Sequence, residues 1–137
     1  MKRRIFLVSV LAAGLPVAGR ALTLTGVPYT PGLVEKELAA GKTVFVDFYT
    51  DWCVTCAAQR RIVERLKAGN PAYGRAISFV AVDWDVYSDS KLAKRLNIPR
   101  RSTLVVLKGK QELGRIVAGT READIRKLMD TALAAAA

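Results

Sequence analysis

Thr43-Val44-Phe45-Val46-Asp47-Phe48-Tyr49-Thr50-Asp51-Trp52-Cys53-Val54-Thr55-Cys56 is the stretch on which the reading of this chain turns. Its first seven residues are largely apolar, with β-branched and aromatic side chains, as in a strand buried on both faces. Its end holds the only two cysteines of the chain, spaced Cys-x-x-Cys where a helix is expected to open. A dithiol at a strand-to-helix junction is the layout of a redox site. The partial positive charge and unpaired N–H groups of a helix start favour thiolate over thiol at Cys53, and the thiolate is the nucleophile.

Two other uses of the pair are weaker. A structural disulfide would close a very short loop and contribute only about 2 kcal/mol, less than a distant staple would. A closed zinc site needs four ligands, and the chain has no histidine and only two cysteines. Soft-metal binding by the dithiol, alone or shared across a dimer, stays open as a non-enzymatic alternative. The lack of nearby methionine or histidine ligands counts against it.

Upstream, Lys2, Arg3 and Arg4 precede an apolar stretch over residues 5–18 that Gly14 and Pro16 interrupt. Gly19-Arg20-Ala21 follows as a cleavage site with small outer residues, so residues 1–21 read as an export signal. The apolar stretch is short for a membrane span, which needs about 20 residues, so an uncleaved anchor is the lesser alternative. Arg3-Arg4-Ile5-Phe6-Leu7 also resembles a twin-arginine export motif, although a general secretory leader fits equally. Without residues 1–21 the chain carries 18 basic and 12 acidic side chains, a net charge of +6. Residues 22–137 suffice for one domain with one core. The charge is scattered rather than massed, which argues against nucleic acid and suits acidic protein partners or a membrane surface in the cell envelope.

The remaining elements alternate. Thr30 as N-cap and Pro31 at the first helical position predict a helix running to residue 40, ended by Gly41. A helix is expected from Cys53 to about residue 67, then a buried strand over 76–84 and a short helix over 88–96. Two strands over 103–108 and 111–117 read as a hairpin about Gly109-Lys110. A last helix after Thr120 buries Ile125, Leu128, Met129, Ala132 and Leu133 at helical spacing, with 134–137 expected to fray. Residues 22–29 read as a linker. Alternating elements with a terminal hairpin imply an α/β fold, a central mixed sheet with helices on both faces.

With that order in place, the chain from about residue 30 to 133 resembles thioredoxin-fold proteins. Val46-Asp47-Phe48-Tyr49-Thr50-Asp51-Trp52-Cys53 through Cys56 is similar to the family's signature strand and active site. Val54-Thr55 replaces the Gly-Pro of cytoplasmic thioredoxins. With Asp51-Trp52 it is closer to the C-terminal periplasmic domain of DsbD-type thiol:disulfide interchange reductases. The resemblance implies a thioredoxin-like fold and a protein-disulfide oxidoreductase needing no cofactor or metal, monomeric and exported to the periplasm. It would take electrons from a membrane thiol reductase and pass them to oxidised envelope proteins. An oxidant or isomerase role is the alternative within that class.

The resemblance also assigns roles. Cys53 would attack and Cys56 would resolve the mixed disulfide. Asp47 falls where thioredoxins keep a buried aspartate, which would take the Cys56 proton; an exposed strand-end aspartate is the bland alternative. Trp52 would shield the sulfurs and offer a docking surface, unless it is plain core packing. Ser102, before Thr103 and its strand, stands where thioredoxins carry a cis-proline. A cis bond before serine would cost about 2.5–4 kcal/mol, so a trans or rearranged loop is expected. The Ser102 hydroxyl then becomes a candidate donor to Cys53. Ala81 falls where many thioredoxins have a lysine near the aspartate, a loss that should raise the Asp47 proton affinity. Arg100 and Arg101 lie on the loop that in this fold contacts substrate, and would favour acidic segments.

Overall fold

The computed structural model describes residues 24–137, so the expected leader over 1–21 lies outside the described residues. The chain runs β1 (Val27–Pro28), α1 (Leu33–Ala39), β2 (Thr43–Tyr49), α2 (Val54–Gly69), α3 (Ala72–Ala76) and β3 (Ile77–Asp83). It continues through α4 (Trp84–Tyr87), α5 (Lys91–Arg95), β4 (Thr103–Lys108), β5 (Gln111–Val117) and α6 (Glu122–Ala136). The strands form one sheet in the order β1-β3-β2-β4-β5. β1, β3 and β2 run parallel, while β4 is antiparallel to both β2 and β5. This is the mixed sheet that the alternation of elements predicts.

Every residue of β2 is buried, because helices cover both of its faces. Alternation along the strand divides its side chains. Val44, Val46 and Phe48 pack with Val34, Leu92 and Ile98 on the face covered by α1 and α5. Phe45 packs with Ile62, Val63, Leu66, Ile125 and Met129 on the face covered by α2 and α6. Asp47 shares the parity of Phe45 and Tyr49, so the pleat turns it toward the redox helix. Its lateral neighbours are Ala81 on β3 and Leu104 on β4.

Several boundaries differ from expectation for identifiable reasons. Thr30 does not cap α1; its carbonyl accepts from Leu33 N at 3.0 Å. Pro31 and Gly32, the latter at φ +89°, complete a type II turn that delays the helix to Leu33. Gly41 ends that helix at φ +81°, as expected. α3 and α4 are single turns too short for a periodic signal, the second capped by the Asp83 carboxylate on Asp85 N at 3.0 Å. The C-terminal alanines extend α6 to Ala136 rather than fraying, in keeping with alanine's helix propensity. The expected linker over 22–29 instead supplies β1 as an edge strand beside β3. None of the described helices is long and apolar enough to cross a membrane.

Candidate active site

β2 ends at Tyr49, and the chain turns through Thr50, Asp51 and Trp52 to place Cys53 as the N-cap of α2. There the Cys53 sulfur accepts from Cys56 N at 3.1 Å, so the helix start itself solvates the thiolate. Both cysteines are free thiols. Cys53 is 5 % exposed and Cys56 not at all, which leaves only Cys53 open to an incoming disulfide. Tyr49, Ala81 and the edge of Leu24 pack around the two sulfurs.

Ser102 faces them from the loop before β4. Its Oγ stands 3.1 Å from Cys53 Sγ and 3.1 Å from Cys56 Sγ. A hydroxyl carries one proton and two lone pairs, so it can donate to a Cys53 thiolate while accepting from the Cys56 thiol. No cis peptide occurs among the described residues. The loop is instead rearranged about Ser102, which is fully buried at φ +63°. A non-glycine residue there costs on the order of 1–2 kcal/mol, so the surroundings must hold it. They do so through three backbone bonds. Ser102 N donates to Phe48 O at 2.7 Å, and Ser102 O accepts from Ala118 N at 2.8 Å and from Gln59 Nε2 at 2.9 Å. Gln59 Nε2 also donates to Gly119 O at 3.0 Å. Thr103 contributes from behind, its Oγ1 donating to Arg100 O at 2.7 Å.

The two arginines part company. Arg101 lays its guanidinium over the Trp52 ring at 4.2 Å, and it is among the groups that lower the Cys53 pKa. Arg100 turns its Nε onto the Arg101 carbonyl at 3.1 Å, so the site cation is Arg101. Trp52 is 60 % exposed, which excludes core packing, and Nε1 donates to Asp85 Oδ2 at 2.9 Å. Burial opposes ionisation of Cys53. The Cys56 thiol, the Ser102 hydroxyl, Cys56 N–H and Arg101 outweigh it and bring the Cys53 pKa down to about 7. Burial and the neighbouring Cys53 push Cys56 up, against partial relief from Ser102 and the Thr50 backbone. One sulfur is readied to attack and the other keeps its proton.

Asp47 is 1 % exposed, as a buried carboxyl rather than a strand-end one. Desolvation raises its pKa to about 6, against the Thr25 hydroxyl and the Arg60 charge, which pull it down. Thr25 Oγ1 donates to Oδ2 at 2.6 Å, while Oδ1 has no hydrogen-bond partner among the described residues. Sequence reasoning missed Thr25 and Gln59. Gln59 carried a signal, a lone polar residue on the inward stripe Cys56-Gln59-Ile62-Val63-Leu66. Thr25 carried none, because its segment has no periodicity. No group of three or more His, Cys, Asp or Glu side chains converges among the described residues.

Comparison with known proteins agrees with this geometry. The family model described as Thioredoxin matches residues 29–131. The Schizosaccharomyces pombe protein "Thioredoxin-2, mitochondrial" is 35% identical over 97 residues, 71% of this chain and 65% of the relative, so the chain spans just under two thirds of that relative's length. Thioredoxin of Echinococcus granulosus is 28% identical over 96 residues, 70% of this chain and 83% of the relative. The crystal structure of Trxlp from Edwardsiella tarda aligns at a TM-score of 0.64 and 29% identity, covering 74% of this chain and 95% of that one. The chain belongs to the thioredoxin family.

Proposed function

We propose that this protein is an exported reductase of protein disulfides, with Cys53 and Cys56 as its redox couple. The observation that carries the reading is the unequal pair of sulfurs at the start of α2, bridged by one hydroxyl at 3.1 Å from each. The Cys53 thiolate attacks one sulfur of a substrate disulfide, forming a mixed disulfide and releasing the other substrate sulfur as a thiolate, which takes a proton from solvent. Cys56 then gives its proton to the Asp47 carboxylate and attacks Cys53 Sγ. The substrate's second sulfur leaves, the Cys53–Cys56 disulfide forms, and two electrons have passed to the substrate. A carboxyl with a pKa of about 6 suits that transfer, being ionised at neutral pH yet able to hold a proton. Trp52 and Arg101 form the rim on which a substrate chain with acidic residues beside its disulfide would dock.

The leader-like residues 1–21 support export to the periplasm, and Val54-Thr55 supports a membrane thiol reductase of the DsbD type as donor. Oxidised envelope proteins are then the acceptors, and the domain works as a monomer. The reducing direction is tested by the Cys53–Cys56 potential, measured in thiol/disulfide buffers through Trp52 fluorescence. A two-electron transition near about −270 mV supports it. One near about −120 mV makes the protein a disulfide donor instead. Loss of insulin disulfide reduction in Cys53→Ser is expected in either case, and retained activity there would remove the dithiol from the reaction.

A further inference from the structure

Residues 24–29 precede the first helix and belong to no part of the site that the sequence marks, yet they are fastened to the site or to β3 beside it. Leu24 packs on the cluster of Tyr49, Cys53, Cys56 and Ala81. Thr25 is 1 % exposed, and its Oγ1 donates to Asp47 Oδ2 at 2.6 Å. Gly26 lies so close to β3 that a Cβ there would stand 2.1 Å from Phe79 O, so no larger residue fits without moving backbone. Val27 and Pro28 pair with Val80 and Ala81, and Tyr29 N donates to Ala81 O at 2.8 Å. Lys67 closes the strap, its Nζ donating to Thr25 O at 3.1 Å while lying 4.2 Å over the Phe79 ring.

We infer that Thr25 is a positioning residue that governs when the Asp47 carboxyl takes up a proton beside the dithiol. The surroundings of Asp47 leave few other groups for that task. Ala81 and Leu104, its neighbours across the sheet, are apolar. From α2 the Arg60 charge acts on Asp47, but Arg60 also lies over the Tyr49 ring at 5.9 Å. Lys67, on the same helix, is occupied with the Thr25 carbonyl and Glu64. Tyr49 on β2, Asp51 in the turn after it, Asp83 at the end of β3, and Cys53 and Cys56 are the other titratable groups on this side. Among the described residues, the Thr25 hydroxyl is the one direct donor to the carboxylate. It satisfies Oδ2, which leaves Oδ1 free to receive a proton. A donor to the ionised form holds it in that form, and such bonds to charged groups are the stronger kind.

Thr25 bears on catalysis only if the dithiol exchanges with disulfides as proposed, but its effect on Asp47 is measured without any substrate. The experiment labels the full, reduced chain with 13C at aspartate carboxyl carbons and follows the Asp47 resonance, identified with Asp47→Asn, from pH 4 to 9. Thr25→Val keeps the side chain's shape and removes the hydroxyl, and Thr25→Ser keeps the hydroxyl. We expect Thr25→Val to move the midpoint up by about one pH unit and Thr25→Ser to leave it near the wild type. The rising limb of mixed-disulfide resolution against pH should move by the same amount. An unmoved midpoint in Thr25→Val would overturn the inference, as would Thr25→Ser moving as far as Thr25→Val, since packing would then be the cause. A wild-type chain that reduces no disulfide while its Asp47 midpoint still responds to Thr25→Val would overturn the proposed function and uphold the coupling.

Discussion

Asp47 should make the reduced protein less stable as pH rises. Moving a carboxyl from 3.8 to about 6 by burial costs about 3 kcal/mol once the group must be ionised. The sign follows from the raised folded-state value. The protonated carboxyl's contribution is fully present below pH 3.8 and is lost as pH rises through about 6. Asp47→Asn removes the titration while keeping an oxygen that can accept from Thr25. Its new NH2 group would sit where Oδ1 has no partner, a penalty of about 1–3 kcal/mol. That penalty does not depend on pH, so it cancels when the variant is compared with the wild type at pH 4 and again at pH 8. What remains is a relative gain for Asp47→Asn of about 2–3 kcal/mol across that interval. At a urea slope of about 1–3 kcal/mol/M the two midpoints should separate by roughly 1–2 M more at pH 8 than at pH 4. Urea titrations of both proteins under reducing conditions measure it. A midpoint difference that is the same at both pH values would refute a carboxyl held at high pKa by burial.

Other consequences can be read from single residues. Alkylation of Cys53 by iodoacetamide should be half-maximal near pH 7, and Ser102→Ala should raise that midpoint by about one pH unit. Because the Cys53 pKa falls on folding, its contribution to stability is present above pH 9 and is lost as pH drops through about 7, which denaturant midpoints would show. Arg101→Ala should slow reduction of disulfides flanked by acidic residues chiefly at low salt, with Arg100→Ala close to the wild type; equal effects would place both guanidinium groups at the substrate. Gln59→Leu should cost about 1–3 kcal/mol, seen as an earlier urea midpoint, because it strips a buried donor from the carbonyls of Ser102 and Gly119.

The fold was legible where burial imposes a period. The apolar run of β2, the hairpin at Gly109-Lys110 and the stripe of α6 each announce themselves by spacing alone. Asp47 was legible as an acid inside such a run, and the dithiol by its spacing. What escaped was set by tertiary contact. Thr25 lies 22 residues from Asp47 in sequence, and nothing in Leu24-Thr25-Gly26 marks the segment as part of a sheet edge until β3 is beside it. The difference between Arg100 and Arg101 likewise depends on which of two adjacent side chains the loop turns toward Trp52.

Two positions where this chain leaves the family pattern are answered by hydroxyls. Ala81, where the resemblance to thioredoxins implies a cation, lies beside the buried acid, and the Thr25 hydroxyl reaches that acid from the strap. Ser102, where the resemblance implies a proline, places its hydroxyl between the sulfurs. The second exchange cannot be reversed by one substitution. Proline fixes φ near about −65° and has no N–H, whereas Ser102 sits at φ +63° and donates to Phe48 O at 2.7 Å. Ser102→Pro should therefore cost about 3 kcal/mol or more and disorder the loop, although it restores the family residue. Ser102→Gly relieves the left-handed backbone but removes the hydroxyl, so it should keep the fold, with the Cys53 midpoint raised as in Ser102→Ala. Denaturation of the two variants side by side separates the backbone from the hydroxyl. A Ser102→Pro protein as stable as the wild type would show that the loop can adopt the family conformation after all.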